Sequence, residues 1–242
     1  MSEPEPVPTS GPDDYRDRVF ERIPASYRPW LHLASTVTLG GAAVALGAWR
    51  LRAPSLVELL AVPAMFVVSN GAEWWAHKEL LHRRRRPLQE LYDRHTPQHH
   101  RVFREDDMAV RAPKELKLVL LPAVGVLAVI AAAAPLSAFA GACLGQNVGW
   151  LVLMTSALYV VSYELTHMLY HLPADGVVGR SAIVRALRAH HARHHDPRLM
   201  QRWNFNVTIP LFDWLCGTIA RPDEATRPRA RRREREPCST RS

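Results

Sequence analysis

The sequence predicts an all-α integral membrane protein with four transmembrane helices, paired as two hairpins, beneath a cytosolic helical cap rich in histidine. Three observations predict it. From Leu118 to Tyr163 there are 46 consecutive residues without an Asp, Glu, Lys or Arg. Two further apolar stretches precede that run, and the basic residues gather in the polar segments that separate and flank the apolar blocks. Of the 12 histidines, all but His32 fall into four tight groups within those polar segments or at their edges.

A helix crossing a bilayer needs roughly 20 predominantly apolar residues, so the long run accommodates two spans joined by a short turn. The turn is expected between Pro135 and Gln146. The first span is expected over Leu31 to Trp49, and the second from Ser55 to about Trp75, with Glu58 and Glu73 as its only charges. A soluble helical bundle would carry polar faces at helical spacing, and the long run has none. The net charge of +8 and 48% hydrophobic content look like those of a soluble protein only because polar tails and loops are averaged with apolar blocks.

Charge placement orients the spans. Arg16, Arg18, Arg22 and Arg28 precede the first, a dense set from Lys78 to Lys117 lies between the second and third, and another follows the fourth. The positive-inside rule puts these regions and both termini on the cytosolic side. Arg50 and Arg52, in the first far-side turn, run against the scheme, whereas the second far-side turn carries no Lys or Arg. The expected location is therefore a multi-pass membrane protein of a bacterial inner membrane or endoplasmic reticulum. Basic loops such as Arg83 to Arg86 are explained by anionic lipid headgroups, so no nucleic acid partner is expected. Cys143, Cys216 and Cys238 show neither metal-ligand spacing nor a disulfide framework. Residues 1–28 and 222–242 read as disordered tails, the first rich in Pro, Glu and Ser, the second basic, around a single membrane-bound domain over 29–221. The N-terminus lacks the pattern of a cleaved signal peptide, so the first span is expected to direct insertion.

The histidine groups carry the chemistry. They are His77 and His82 in AHKELLH; His95, His99 and His100 in HTPQHH; His167 and His171 in THMLYH; and His190, His191, His194 and His195 in AHHARHH. His167 and His171, four apart, project from one helix face about 40° from each other. His191 or His190, with His194 and His195, also shares a face. His77 and His82, five apart, would diverge by about 140° on an ideal helix, so they must bridge a helix end or face different metals. Imidazole suits Fe, Zn, Cu and Ni, and about ten imidazoles exceed the three or four that one tetrahedral zinc uses. The zinc-protease pattern HExxH is absent, as are the Glu-x-x-His pairs of soluble di-iron bundles. Lone His32 reads as an ordinary hydrogen-bonded side chain.

The order HxxxxH, HxxxHH, HxxxH, HxxHH after successive apolar blocks resembles the fatty-acid hydroxylase and sterol desaturase superfamily of integral membrane di-iron oxygenases. The segment NFNVTIPLFDWLCGT, Asn204 to Thr218, is similar to the stretch that follows the last histidine box there. The resemblance covers about residues 73 to 218 and implies a fatty-acid-hydroxylase-like catalytic domain within 29–221. It implies metal ligands at His77, His82, His95, His99, His100, His167, His171, His191, His194 and His195, with His190 left out. It also implies two Fe ions, replaceable by zinc on purification, O2 as co-substrate, and a lipid substrate, a fatty acyl chain first. The haem-binding HPGG motif of a fused cytochrome b5 is absent, so electrons would come from a separate donor such as cytochrome b5 or ferredoxin with its reductase. The expected activity is that of a membrane-bound monooxygenase hydroxylating a lipid C–H bond. Rivals are a sterol or carotenoid desaturase or hydroxylase of the same superfamily, and a membrane protein that binds or transports zinc. Asp196 and Glu164, close to the boxes, are expected to accept free imidazole N–H groups. Trp203, Phe205, Leu211, Phe212, Trp214 and Leu215 are expected to form an amphipathic segment at the membrane surface or over the substrate cavity.

Overall fold

In the computed structural model, residues 12–221 are described; residues 1–11 of the expected N-terminal tail and the expected basic tail 222–242 lie outside them. The described residues form ten α-helices: α1 (Pro12–Glu21), α2 (Pro29–Arg50), α3 (Leu56–Leu59), α4 (Ala61–Ala76), α5 (Gln89–Arg94), α6 (His100–Val102), α7 (Ala123–Leu144), α8 (Gln146–Tyr170), α9 (Ala182–His194) and α10 (Leu211–Leu215). They contain no β-strand, and a single isolated bridge joins Arg104 and Asp107.

Four helical stretches, Pro29–Arg50, Leu56–Leu81, Pro113–Leu144 and Gln146–Tyr170, are long and apolar enough to cross a membrane. Their bounds follow local chemistry. Pro29 occupies the first turn of α2, where a missing N–H costs nothing. Ser55 and Glu58 form a reciprocal capping box at the start of α3, which gives Glu58 a structural role at the end of an apolar helix. Pro63 lacks the N–H that would continue α3 into α4, and the chain breaks at Leu60 between them. Pro135 lies inside α7, and the turn of the long run falls within the expected interval between Pro135 and Gln146, at Gly145 alone, φ +107. A side chain there would be strained, and glycine is not.

One helix is central. More than half of the apolar window of α8 is buried, 56%, against 17% for each of the other three, and α8 packs against α2, α4 and α7. Small residues permit the approach: a Cβ on Gly40 would meet Val161, and one on Gly149 would meet the backbone of Ser137 and Gly141. The other apolar helices turn Trp30, Leu31, Trp49, Val68, Val124, Leu127 and Phe139 outward, as lipid-facing surfaces do.

Residues 12–28, expected within a disordered tail, instead carry α1, whose Val19 packs with Val102, Phe103 and Val119. The helix stays because it has a core to join and a buried ion pair, neither of which tail composition reveals.

Candidate metal centre

Ten histidines converge around the C-terminal ends of α4 and α8. His77, His82, His95, His100 and His194 form one group; His99, His167, His171, His191 and His195 form a second. Within each group the five nitrogens on offer lie within 4.8 Å of one another, and all ten side chains are buried. The groups abut, with the His100 and His195 rings stacked at 4.3 Å and the His95 and His99 rings at 5.2 Å.

The spacing that an α-helix could not reconcile is absorbed by π-helical turns. His77–Leu81 and His95–His99 are both π-helical, and the His82 and His100 N–H groups donate to the carbonyls of His77 and His95. An i→i+5 turn brings residues five apart onto one face, so His77 and His82 stack at 5.1 Å, and His95 and His100 face each other at 4.6 Å. His77 and His82 thus bridge a helix end and belong to one group rather than two. His167 and His171, at the end of α8, keep ordinary four-residue spacing and both enter the second group. The clusters at 95–100 and 191–195 divide between groups: His99 leaves His95 and His100, and His194 leaves His191 and His195.

Backbone carbonyls set the tautomers. His99, His171, His194 and His195 each donate from Nδ1 to a carbonyl, of Leu118 at 2.9 Å, Met108 at 2.7 Å, Trp203 at 2.8 Å and Phe103 at 2.6 Å; His77 does the same to Phe205. Thr96 Oγ1 donates to the Leu81 carbonyl at 2.6 Å, so it accepts from His82 Nδ1 at 3.1 Å. With Nδ1 protonated in neutral rings, every Nε2 in this set presents a lone pair. His82 and His194 then aim two lone pairs at each other across 2.8 Å, and in the second group His99, His167 and His171 have buried Nε2 atoms with no protein partner. Converging unprotonated nitrogens repel unless a cation sits among them, so the donor set fits metal binding.

Burial keeps the rings neutral. Desolvation is the largest cause pushing the imidazoles of His82, His95, His100, His171, His191, His194 and His195 well below the usual value, with neighbouring histidines adding to it in each. His99 is pushed down to about 4 by the same burial, partly offset by its bond to the Leu118 carbonyl. A transition metal requires this deprotonated form.

The two groups are oriented by different stretches of chain. Trp203 and Phe205 hold His194 and His77 of the first group; Phe103, Met108 and Leu118, all in the loop between α6 and α7, hold His195, His171 and His99 of the second. Between Trp203 and Phe205, Asn204 takes φ +59, a left-handed conformation that asparagine tolerates, while its side chain bonds the His190 carbonyl and the Ala220 N–H. Asp213, fully buried, accepts from the Phe205 N–H at 2.9 Å, the Asn206 N–H at 2.8 Å and the Thr218 hydroxyl at 2.6 Å. Glu73 accepts from the Val207 and Thr208 N–H groups, the Thr208 hydroxyl and the Tyr159 hydroxyl, tying the segment to α4 and α8.

Several expectations are corrected here. Asp196 binds Arg198 and Glu164 accepts the Leu121 N–H, so neither orients an imidazole; main-chain carbonyls and, for His82, the Thr96 hydroxyl do that work. His190 lies outside both groups with Nε2 3.0 Å from Asp213, and His191 lies inside the second. Of the four arginines in 83–86, Arg83 and Arg85 bind Glu79, and Arg84 binds Asp93. Trp203 and Phe205 are buried against the centre, whereas Trp214 and Leu215 face outward. His32 bonds Tyr27 and the Leu121 carbonyl, as a lone histidine should. Asp213, Thr96 and the role of Glu73 escaped the sequence reading; the signal available was the polar pattern of NFNVT followed by an aspartate.

The profile of a family described as fatty acid hydroxylase matches residues 62–218. Neither curated proteins nor solved structures gave a match.

Proposed function

The chain belongs to the fatty acid hydroxylase family, and from that premise we propose that it is an O2-dependent di-iron monooxygenase that hydroxylates a C–H bond of a lipid, a fatty acyl chain first. The observation carrying this reading is the division of ten buried histidines into two groups of five with contiguous rings. His77, His82, His95, His100 and His194 would hold one ion, and His99, His167, His171, His191 and His195 the other. An all-nitrogen donor set is compatible with iron, and also with zinc as a replacement on purification. When bound, two ferrous ions would supply, with O2, an oxidant strong enough to break an alkyl C–H bond.

The chain's own residues hold the nitrogens and exclude water. Carbonyls of Phe103, Met108, Leu118, Trp203 and Phe205 keep Nδ1 protonated and Nε2 directed inward. Burial prevents the imidazoles from taking up protons at neutral pH. The overall balance, RH with O2, two electrons and two protons giving ROH and water, requires an electron donor, for which a separate cytochrome b5 or ferredoxin with its reductase is proposed. The four apolar helices act as two membrane hairpins, with the histidines on the cytosolic side by the positive-inside rule. A lipid tail would approach from the bilayer past the outward-facing Trp75, Trp214 and Leu215.

The test is metal counting on anaerobically purified chain, combined with mass spectrometry of lipids from cells with and without it. About two irons per chain and a lipid that gains oxygen only in the presence of O2 are expected. Zinc supporting no O2 uptake, with an unchanged lipid profile, would replace the reading with metal storage or transport.

A further inference from the structure

Helix α1 delivers a cation into the base of the cap. Arg16 is only 2% exposed; its Nε and Nη2 donate to the two carboxylate oxygens of Glu115 at 2.8 and 2.6 Å, and its Nη1 to Asp107 at 2.7 Å. Nη2 also donates to the Ala109 carbonyl at 2.6 Å, and the guanidinium carbon lies 5.2 Å from the centre of the Phe103 ring. One side chain therefore touches positions 103, 107, 109 and 115 of the segment joining α6 to α7, a loop that ends in the 3-10 turn Pro113–Leu118. That loop supplies the carbonyls of Phe103, Met108 and Leu118 to His195, His171 and His99. All three histidines belong to the second group, whereas the bonds orienting His77, His82 and His194 come from Phe205, Thr96 and Trp203.

We propose that Arg16, carried on α1, braces the second histidine group as a positioning residue that sets the loop carbonyls and through them the imidazoles of His195, His171 and His99. Helix α1 itself also touches the His95–His99 turn, where the Tyr15 hydroxyl donates to the Pro97 carbonyl at 3.0 Å. The proposal rests on the reading of two five-histidine metal sites. A guanidinium forked onto a buried carboxylate fixes direction as well as distance, and removing it leaves Glu115 buried without its countercharge. The loop then relaxes, and the three rings lose their orientation. Loss of outer partners of metal-bound histidines weakens metal affinity about 10- to 100-fold.

The test uses the full-length chain in detergent, with metal counted by mass spectrometry and its loss to a chelator followed in time. His77→Ala and His171→Ala each leave one intact group, the second and the first respectively. Arg16→Met is expected to speed metal loss about 10- to 100-fold in the His77→Ala background and to leave the His171→Ala background unchanged. Arg16→Lys, which keeps the charge but lacks the fork, should give an intermediate acceleration with the same selectivity, and carries the comparison if Arg16→Met does not fold. Equal acceleration in both backgrounds, or none in either, overturns the brace. If the unsubstituted chain holds two ions but the single-histidine variants do not each keep one, the two-site reading falls instead, and the brace loses its premise.

Discussion

His77 and His82 stack with ring centroids 5.1 Å apart and planes 21° apart, although five residues separate them. A π-helical turn at the end of α4 makes this possible, and a second one at His95–His99 does the same for His95 and His100. π turns are rare because their hydrogen bonds are poorer, and they recur where function requires a particular direction. Here each turn delivers two nitrogens to one point.

His167→Ala and His194→Ala remove one nitrogen from each group. Both should reduce lipid oxidation to background while the chain remains in the membrane fraction, since replacing histidine by alanine does not lower the apolar character of the four long helices. Product formation and membrane fractionation, measured together, check this; full activity in either variant would remove it from the centre.

His190→Ala should behave differently from His191→Ala despite their adjacency. His190 bonds Asp213 and lies outside both groups, so its loss should leave both ions in place, whereas His191→Ala should deplete the second. Metal content per chain discriminates the two.

Thr96→Val replaces a hydroxyl that both donates to the Leu81 carbonyl and accepts from His82 Nδ1. Metal affinity should fall about 10- to 100-fold by chelator competition, and Thr96→Ser should restore it. A Thr96→Val chain with unaltered affinity would mean that the His82 ring is held by packing alone.

Asn204 holds φ +59 and makes three polar contacts. Asn204→Gly keeps the backbone conformation but loses two side-chain hydrogen bonds, worth about 0.5–1.5 kcal/mol each. Asn204→Ala adds about 1–2 kcal/mol of left-handed strain. Thermal unfolding should therefore rank wild type above glycine above alanine.

Asp213→Ala leaves the buried Phe205 and Asn206 N–H groups without acceptors, at about 1–3 kcal/mol each. The melting temperature should drop and metal should be lost first from the group containing His77, whose ring is bonded to Phe205. Loss of stability without any change in metal content would separate Asp213 from the centre.

The sequence by itself determined the helical class, the four apolar helices and the ten histidines, because hydrophobic runs and ligand spacing are local properties of the chain. Span limits came within a few residues, since proline and glycine act on their own neighbours. Only the tertiary structure decided how the histidines divide. An ideal helix cannot anticipate a π turn, and His99 parts from His95 and His100 because the partners of each ring lie on remote segments. The same holds for orientation: sequence proximity pointed to Asp196 and Glu164, but apart from the Thr96 hydroxyl at His82 the groups facing the imidazoles are main-chain carbonyls from segments up to 128 residues away, as for His77 and Phe205. A carbonyl is present at every residue and leaves no trace in composition, so only the folded path of the chain selects which ones meet a ring. The burial of Arg16 against Glu115 belongs to that class, being a contact 99 residues apart that makes an ordered helix of what reads as a polar tail.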